Sequence, residues 1–163
     1  MIPTQEECIN ILKEQKIPEN LLAHVKTVRD VAMKICYILE KKGIIVNKDL
    51  VAAGALLHDI KKMTSGDHVV EGYEFVKSLG YQEVALLVKR HGLAHVKDED
   101  FLPKSWEEKI VFYSDKRAKG DNIVSVKERF DHIKERYDKE QIEDEEKLTY
   151  QLEKELLGDE ELK

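Results

Sequence analysis

The chain has 163 residues, of which 37% are charged and 7% are aromatic, and its formal net charge is −6. This length is enough for one domain with a buried core, and the composition favours helices over a β-sandwich or a β-barrel. The negative net charge argues against a general binding surface for duplex nucleic acid. A small anionic substrate would therefore need a local positive patch or a metal ion.

The cysteines and the N-terminal segment limit the class of protein further. Cys8 and Cys36 are in no CxxC pair and in no spacing typical of a zinc site, so we interpret them as two buried, reduced thiols. The first residues have neither the basic segment nor the apolar segment of a secretory signal. No apolar run approaches the ~18–20 residues that a membrane-spanning helix needs. We therefore expect a cytoplasmic protein without a membrane segment.

Capping residues and glycines divide the first part of the chain into predicted helices. Thr4 with Glu7 forms a capping box, Pro18 and Asn47 open two further helices, and Gly43 ends the longer of these. Residues 61–67 are predicted to be a loop because serine and glycine interrupt the helical pattern. The predicted helices span about 4–13, 18–42, 47 to 58 or 60, 68–79 and 82–91.

The second part of the chain is predicted to hold three more helices. Ser105 with Glu108 and Ser125 with Glu128 form capping boxes that open helices to about residues 118 and 137. Residues 97–104 are predicted to be a loop, and 119–122 a turn. From residue 138 leucines recur at helical spacing, which predicts an amphipathic helix on the domain or on a partner, with a solvated, partly frayed end as the alternative.

These elements predict the fold class. The β-branched stretch 43–46 is too short to indicate a sheet, so the expected fold is all-α. Residues 1–137 would form one helical domain, and residues 138–163 would be the charged C-terminal helix or tail.

His58 and Asp59 stand together directly after the apolar stretch 54–57, near the end of the third predicted helix. A carboxylate beside an imidazole is costly to bury there unless a charged partner is bound. A divalent metal ion is the simplest such partner.

Other ionisable residues occur in the same setting, at one end of a core-facing helical stripe. A single histidine on an apolar face is more often a hydrogen-bonded core residue than a metal ligand. Here, however, two aspartates are involved, and burying each without compensation would cost several kcal/mol. A shared cation would remove that cost for the whole set, which comprises His24, His58, His68, His91, Asp59 and Asp115. His132 lies beside its stripe and is predicted to be a surface residue.

The order of these residues resembles the HD-domain superfamily of metal-dependent phosphohydrolases. The similarity covers roughly residues 20 to 137 and is carried by His24-Val25, Leu56-Leu57-His58-Asp59-Ile60-Lys61-Lys62 and Ser114-Asp115-Lys116, with His68, Gly72, Gly80-Tyr81 and Arg90-His91 between them. It implies an HD-type helical bundle with an additional C-terminal helix. Many relatives have glycine where this chain has Lys61, so we expect either a changed loop backbone or an added phosphate contact at that position.

The resemblance implies a ligand set and a reaction. His24, His58, Asp59 and Asp115 would bind a first divalent ion, and in relatives with intervening histidines the positions of His68 and His91 bind a second ion, with the aspartate as the bridge. Nitrogen and oxygen ligands suit Mn²⁺, Fe²⁺, Co²⁺, Ni²⁺ or Mg²⁺, with Zn²⁺ as a further candidate. The implied reaction is attack of metal-activated water on the phosphorus of a phosphomonoester, nucleotide or dinucleotide.

The resemblance also suggests roles around the metal ligands. Asp59 would position the attacking water or act as its base, and Lys62 would neutralise charge on the phosphate. Arg90, His95 and Arg117 are further candidates for contact with the substrate. Each of these groups has an alternative as a solvated surface residue.

Two other functions stay open. The chain could be a non-catalytic module that binds a metal or a nucleotide, although the ligand set looks complete. It could also be an accessory domain for RNA processing, although the net charge and the lack of an aromatic and basic stacking platform argue against nucleic acid. A turnover assay on metal-loaded protein separates these functions. A homodimer is compatible with the sequence.

Overall fold

A computed structural model of the chain describes residues 1–92 and 97–162. The described residues form eight α-helices and one small hairpin, so the predicted all-α fold is confirmed. In chain order the elements are α1 (Gln5–Glu14), α2 (Glu19–Lys41), α3 (Lys48–Leu57), α4 (His68–Ser78), α5 (Gln82–Lys89), a 3₁₀ turn (Glu99–Phe101), α6 (Trp106–Asp115), β1 (Ala118–Lys119), β2 (Asn122–Ile123), α7 (Val126–Lys134) and α8 (Lys139–Leu157).

The capping residues found in the sequence begin their helices. Thr4 accepts a hydrogen bond from the amide of Glu7, Asn47 accepts one from Leu50, and Ser105 forms a complete capping box. Each cap satisfies an amide that the first turn leaves unpaired, and this fixes where the helix starts. Helices α2 to α7 end one to three residues earlier than periodicity predicted, and α3 ends at Leu57, directly before His58.

Helix α3 carries the centre of the fold. Every residue from Leu50 to Leu57 is buried, and α3 packs against α1, α2, α5 and α6. Gly54 allows α5 to come close, because a Cβ atom there would lie 2.4 Å from Cδ2 of Leu87. A helix buried on all sides therefore delivers the residues at its C-terminal end, His58 and Asp59, into the interior.

The C-terminal helix packs on the domain, which decides between the two interpretations of the tail. Leu152, Leu156 and Leu157 of α8 are buried, and α8 contacts α2, α6 and α7. Nζ of Lys42 donates a hydrogen bond to the carbonyl oxygen of Leu157 at 3.1 Å. The division of the chain at residue 137 stays a prediction.

A short hairpin follows α6. The predicted turn at 119–122 is the centre of a hairpin in which Ala118 pairs with Ile123 and Lys119 with Asn122.

Cys8 and Cys36 are both buried and free, as the sequence predicted. Among the helices of the described residues, none is long and apolar enough to cross a membrane.

Candidate metal centre

Four of the predicted ligands meet in the interior, and they come from three separate helices or helix ends. Nε2 of His24 lies 3.0 Å from Oδ1 of Asp115 and 3.5 Å from Oδ2 of Asp59. Nε2 of His58 lies 3.2 Å from Oδ1 of Asp115 and 3.3 Å from Oδ2 of Asp59. The four ligand atoms all lie within 4.8 Å of one another. We call this group cluster one.

A second group shares Asp59 with the first. Oδ1 of Asp59 lies 3.4 Å from Nε2 of His91 and 3.9 Å from Nε2 of His68. These three residues form cluster two, in which the ligand atoms again lie within 4.8 Å of one another. His91 is buried, whereas His68 is partly exposed. The two oxygens of Asp59 therefore face different sets of histidines.

Two of the histidine rings are oriented by the same local construction. Nδ1 of His58 lies 2.6 Å from the carbonyl oxygen of Ala55, and Nδ1 of His91 lies 2.5 Å from that of Val88. Since a carbonyl oxygen only accepts, Nδ1 of each ring carries a hydrogen and donates it. In a neutral ring Nε2 then has a lone pair that points at a carboxylate oxygen, and this contact is favourable only with a proton or a metal ion between the two atoms.

The pKa values of the two carboxylates reflect the positive groups around them. Burial raises the pKa of Asp59, but the neighbouring His58 holds it well below its usual range. Burial likewise raises the pKa of Asp115, but Lys116 and the histidines His24 and His58 hold it well below that range. Both carboxylates are therefore ionised at neutral pH.

The pKa values of the histidines divide them into two kinds. Burial lowers the pKa of His58, but Asp59 and Asp115 together raise it to about 10. Burial also lowers the pKa of His68 and that of His91, and there the lowering prevails. His68 and His91 are therefore neutral at pH 7 and able to donate a lone pair. A metal ion in cluster one would take the place of the proton on His58.

The donor set fits a divalent ion. Imidazole nitrogens and carboxylate oxygens are ligands for Mn²⁺, Fe²⁺, Co²⁺, Ni²⁺ or Zn²⁺, and both buried cysteines lie outside the two clusters. The lone pair on Nε2 of His91 faces Oδ1 of Asp59 at 3.4 Å, and this contact would be poorly compensated without a cation. The arrangement can thus hold one ion in cluster one and a second in cluster two, with Asp59 between them.

Lys62 lies at the edge of cluster one. Its Nζ is 3.9 Å from Oδ2 of Asp59, and its side chain is 50% exposed. This ammonium group is therefore close to the carboxylate and still accessible to a ligand.

His132, by contrast, is outside both clusters, and its Nδ1 lies 3.6 Å from the carboxylate of Glu135.

The other cations predicted to contact substrate are bonded elsewhere. Nη1 of Arg90 lies 2.5 Å from Oε2 of Glu108, and both are mostly buried. Nε of Arg117 donates to the carbonyl oxygen of Val124 at 2.6 Å. Within the described structure neither arginine forms an ion pair with an aspartate of the clusters, so their substrate roles stay predictions. The predicted contact through His95 falls outside the described residues.

Lys61 points away from the clusters. Its Nζ donates to Oε1 of Gln15 at 2.9 Å and lies 4.5 Å from the centre of the Phe75 ring. Lys61 does not have a positive φ. The backbone at this position therefore does not need the conformational freedom of the glycine that many relatives have here.

No role was predicted for Lys116, which lies directly behind cluster one. Its side chain is 1% exposed, and its Nζ lies 2.9 Å from Oδ2 of Asp115. Its position next to Asp115 was the one signal in the sequence. A lysine at the end of a helix usually extends into solvent, so this signal did not indicate burial.

The fold agrees with the comparison of the chain with known proteins. A model of the HD domain family matches residues 21–160, which is most of the chain. The chain therefore belongs to the HD domain family.

Three relatives illustrate the similarity. An uncharacterized protein of Methanocaldococcus jannaschii is 35% identical over 74% of this chain and 79% of its own length. A tRNA (cytidine(56)-2′-O)-methyltransferase of Picrophilus torridus is 33% identical over 80% of this chain, which spans 40% of that protein. A dihydroneopterin 2′,3′-cyclic phosphate phosphodiesterase of M. jannaschii is 30% identical over 77% of this chain, which spans 57% of that protein. No solved structure matches the chain.

Proposed function

We propose that the chain is a metal-dependent phosphohydrolase that cleaves a phosphate ester of a small, nucleotide-like substrate. The observation that carries this proposal is the placement of Asp59, whose two oxygens face two sets of histidines at 3.3 to 3.9 Å. His24, His58, Asp59 and Asp115 would hold one divalent ion, and Asp59, His68 and His91 would hold a second. Membership of the HD domain family supports the same chemistry.

The residues around the clusters have distinct tasks in this proposal. A divalent ion, when bound, would polarise a phosphoryl oxygen and lower the pKa of water towards neutrality. Asp59, ionised at neutral pH, would orient the water that attacks phosphorus. Lys62, half exposed beside Asp59, would donate hydrogen bonds to the phosphate and offset its charge.

The substrate class is proposed from chemistry and from the relatives. A site of two buried carboxylates needs bound cations before it attracts an anionic phosphate. The similarity to a dihydroneopterin 2′,3′-cyclic phosphate phosphodiesterase favours a phosphate ester attached to a heterocyclic compound. Cyclic phosphodiesters therefore join nucleotides, dinucleotides and phosphomonoesters as candidate substrates.

A second candidate function is an accessory role in RNA processing. The similarity to a tRNA methyltransferase favours it, although this chain spans only 40% of that protein. The net charge of −6 opposes contact with a long phosphate backbone unless the positive charge is local.

Metal analysis followed by a substrate panel tests the proposal. Purified protein would be stripped of metal, reloaded with Mn²⁺, Co²⁺, Ni²⁺, Fe²⁺ or Mg²⁺, and assayed on phosphomonoesters, 2′,3′-cyclic nucleotides and dinucleotides. Asp59→Asn should lower kcat by about 100-fold or more, the size of effect expected when a preorganised charged group is lost. His132→Ala serves as the matched control and should retain full activity.

Two results decide against the proposal. The first is metal-loaded protein that turns over none of these phosphate esters. The second is an Asp59→Asn variant that keeps the metal content and the activity of the wild type. Tight, salt-dependent binding of tRNA without turnover would instead favour the accessory role.

A further inference from the structure

Lys116 directly follows α6 and has an ammonium group that is buried and fully hydrogen-bonded. Its Nζ donates to Oδ2 of Asp115 at 2.9 Å, to the carbonyl oxygen of His91 at 2.9 Å, and to that of Phe112 at 3.3 Å. It also lies 4.1 Å from the centre of the Phe112 ring. A buried ammonium costs several kcal/mol unless all its donors find acceptors, and here all three do.

One of these acceptors belongs to cluster one. Because Lys116 holds Oδ2 of Asp115, the other oxygen, Oδ1, is the one that faces His24 and His58, at 3.0 and 3.2 Å. The carboxylate is thereby fixed about its side-chain torsions. Without Lys116 it could rotate and present either oxygen.

Another acceptor belongs to cluster two. His91 follows the last turn of α5, where the backbone is no longer held by the helix. Nζ of Lys116 donates to the carbonyl oxygen of His91, and Nδ1 of the His91 ring donates to the carbonyl oxygen of Val88. His91 is therefore held both by its backbone and by its side chain. Nε2 is then directed at Oδ1 of Asp59.

We infer that Lys116 is a positioning residue that orients a ligand of each cluster, Asp115 in the first and His91 in the second, before a metal ion binds. This inference rests on the proposed metal-dependent function. Groups behind metal ligands typically change metal affinity by about 10- to 100-fold when they are removed. The positive charge of Lys116 would act in the opposite direction, because it repels a nearby cation.

Substitutions of Lys116 separate these effects. Lys116→Met keeps the length of the side chain and removes charge and donors, whereas Lys116→Gln removes the charge and keeps two donors. Lys127→Met is the matched control, because Lys127 is 77% exposed and pairs with Asp131, four residues away, on the surface. The measurements are the dissociation constants of Mn²⁺ and Co²⁺ by titration calorimetry, the visible absorption of bound Co²⁺, and unfolding in urea.

The positioning role predicts weaker binding in both variants. Lys116→Met should raise the metal dissociation constant about 10- to 100-fold and change the Co²⁺ spectrum, and Lys116→Gln should raise it about tenfold. Lys127→Met should stay within about twofold of the wild type. If the methionine variant does not fold, the glutamine variant decides by the same criteria.

Other outcomes overturn the inference. Folded Lys116 variants that bind metal within about twofold of the wild type would show that the lysine does not orient the ligands. Tighter binding would show that it acts mainly as a repelling charge. A wild-type protein that binds no metal at all would instead overturn the proposed function, and the inference with it.

Discussion

Oδ1 of Asp59 faces Nε2 of His91 across 3.4 Å, although the two residues follow different helices, α3 and α5. The other oxygen of the same carboxylate faces the histidines of cluster one. A single residue thus joins two groups of potential ligands. The number of ions bound should therefore respond differently to changes on the two sides of Asp59.

His91→Ala should lower the metal content from about two ions per chain to about one, because cluster two would keep only the partly exposed His68 beside Asp59. His58→Ala should weaken binding in cluster one. Metal analysis after dialysis against a fixed free metal concentration measures both effects. His132→Ala should match the wild type, and an unchanged metal content in His91→Ala would contradict a second ion.

The two cysteine thiols should be inert in the native protein. Burial raises the pKa of Cys8 and that of Cys36 to about 12, so at pH 8 only roughly 10⁻⁴ of each thiol is ionised. Because the thiolate is the reactive form, a thiol reagent should label both residues in urea and neither under native conditions. Rapid labelling without urea, read by mass spectrometry, would show that the core opens around α1 and α2.

Local signals in the sequence were enough to predict most of the fold. Caps such as Asn47 and the box at Ser105 act within one turn, so their effect is visible in a few residues. The order of the ligand candidates along apolar stripes similarly indicated that they would meet. The hairpin at 118–123 was missed because strands of two residues are too short to show alternation.

The placement of the cations could not be predicted in the same way. Lys61 and Lys62 are adjacent in sequence, yet one bonds to Gln15 and the other approaches Asp59. Arg90 is paired with Glu108 of another helix. These choices depend on which partners the tertiary structure brings near, and no spacing in the sequence encodes them. The burial of Lys116 is the same kind of long-range effect.

Arg90→Met should destabilise the protein because it leaves the carboxylate of Glu108, which is 4% exposed, without its positive partner. Removing one member of a buried ion pair costs about 3–5 kcal/mol, and the remaining bonds from the amides of Lys104 and Ser105 favour the lower end. Unfolding in urea measures this loss.

A second substitution that neutralises the unpaired carboxylate of Glu108 is the control for Arg90→Met. Glu108→Gln in the Arg90→Met background keeps an acceptor for the two amides and should recover part of the lost stability. A drop in kcat/KM without any change in the free energy of unfolding would contradict the structural role. That result would favour the substrate contact that was predicted for Arg90.

Lys62 and Lys61 give a matched pair for testing the phosphate contact. Lys62→Ala should lower kcat/KM by about 10- to 100-fold while metal content is unchanged, because its ammonium lies beside Asp59 and contacts no other carboxylate in the described part of the chain. Since this side chain is half exposed, the effect should shrink as salt rises. Lys61→Ala removes a bond to Gln15 and a ring contact, and should cost about 1 kcal/mol of stability without changing kcat/KM. Equal kinetic effects of the two substitutions, or metal loss in Lys62→Ala, would refute this assignment.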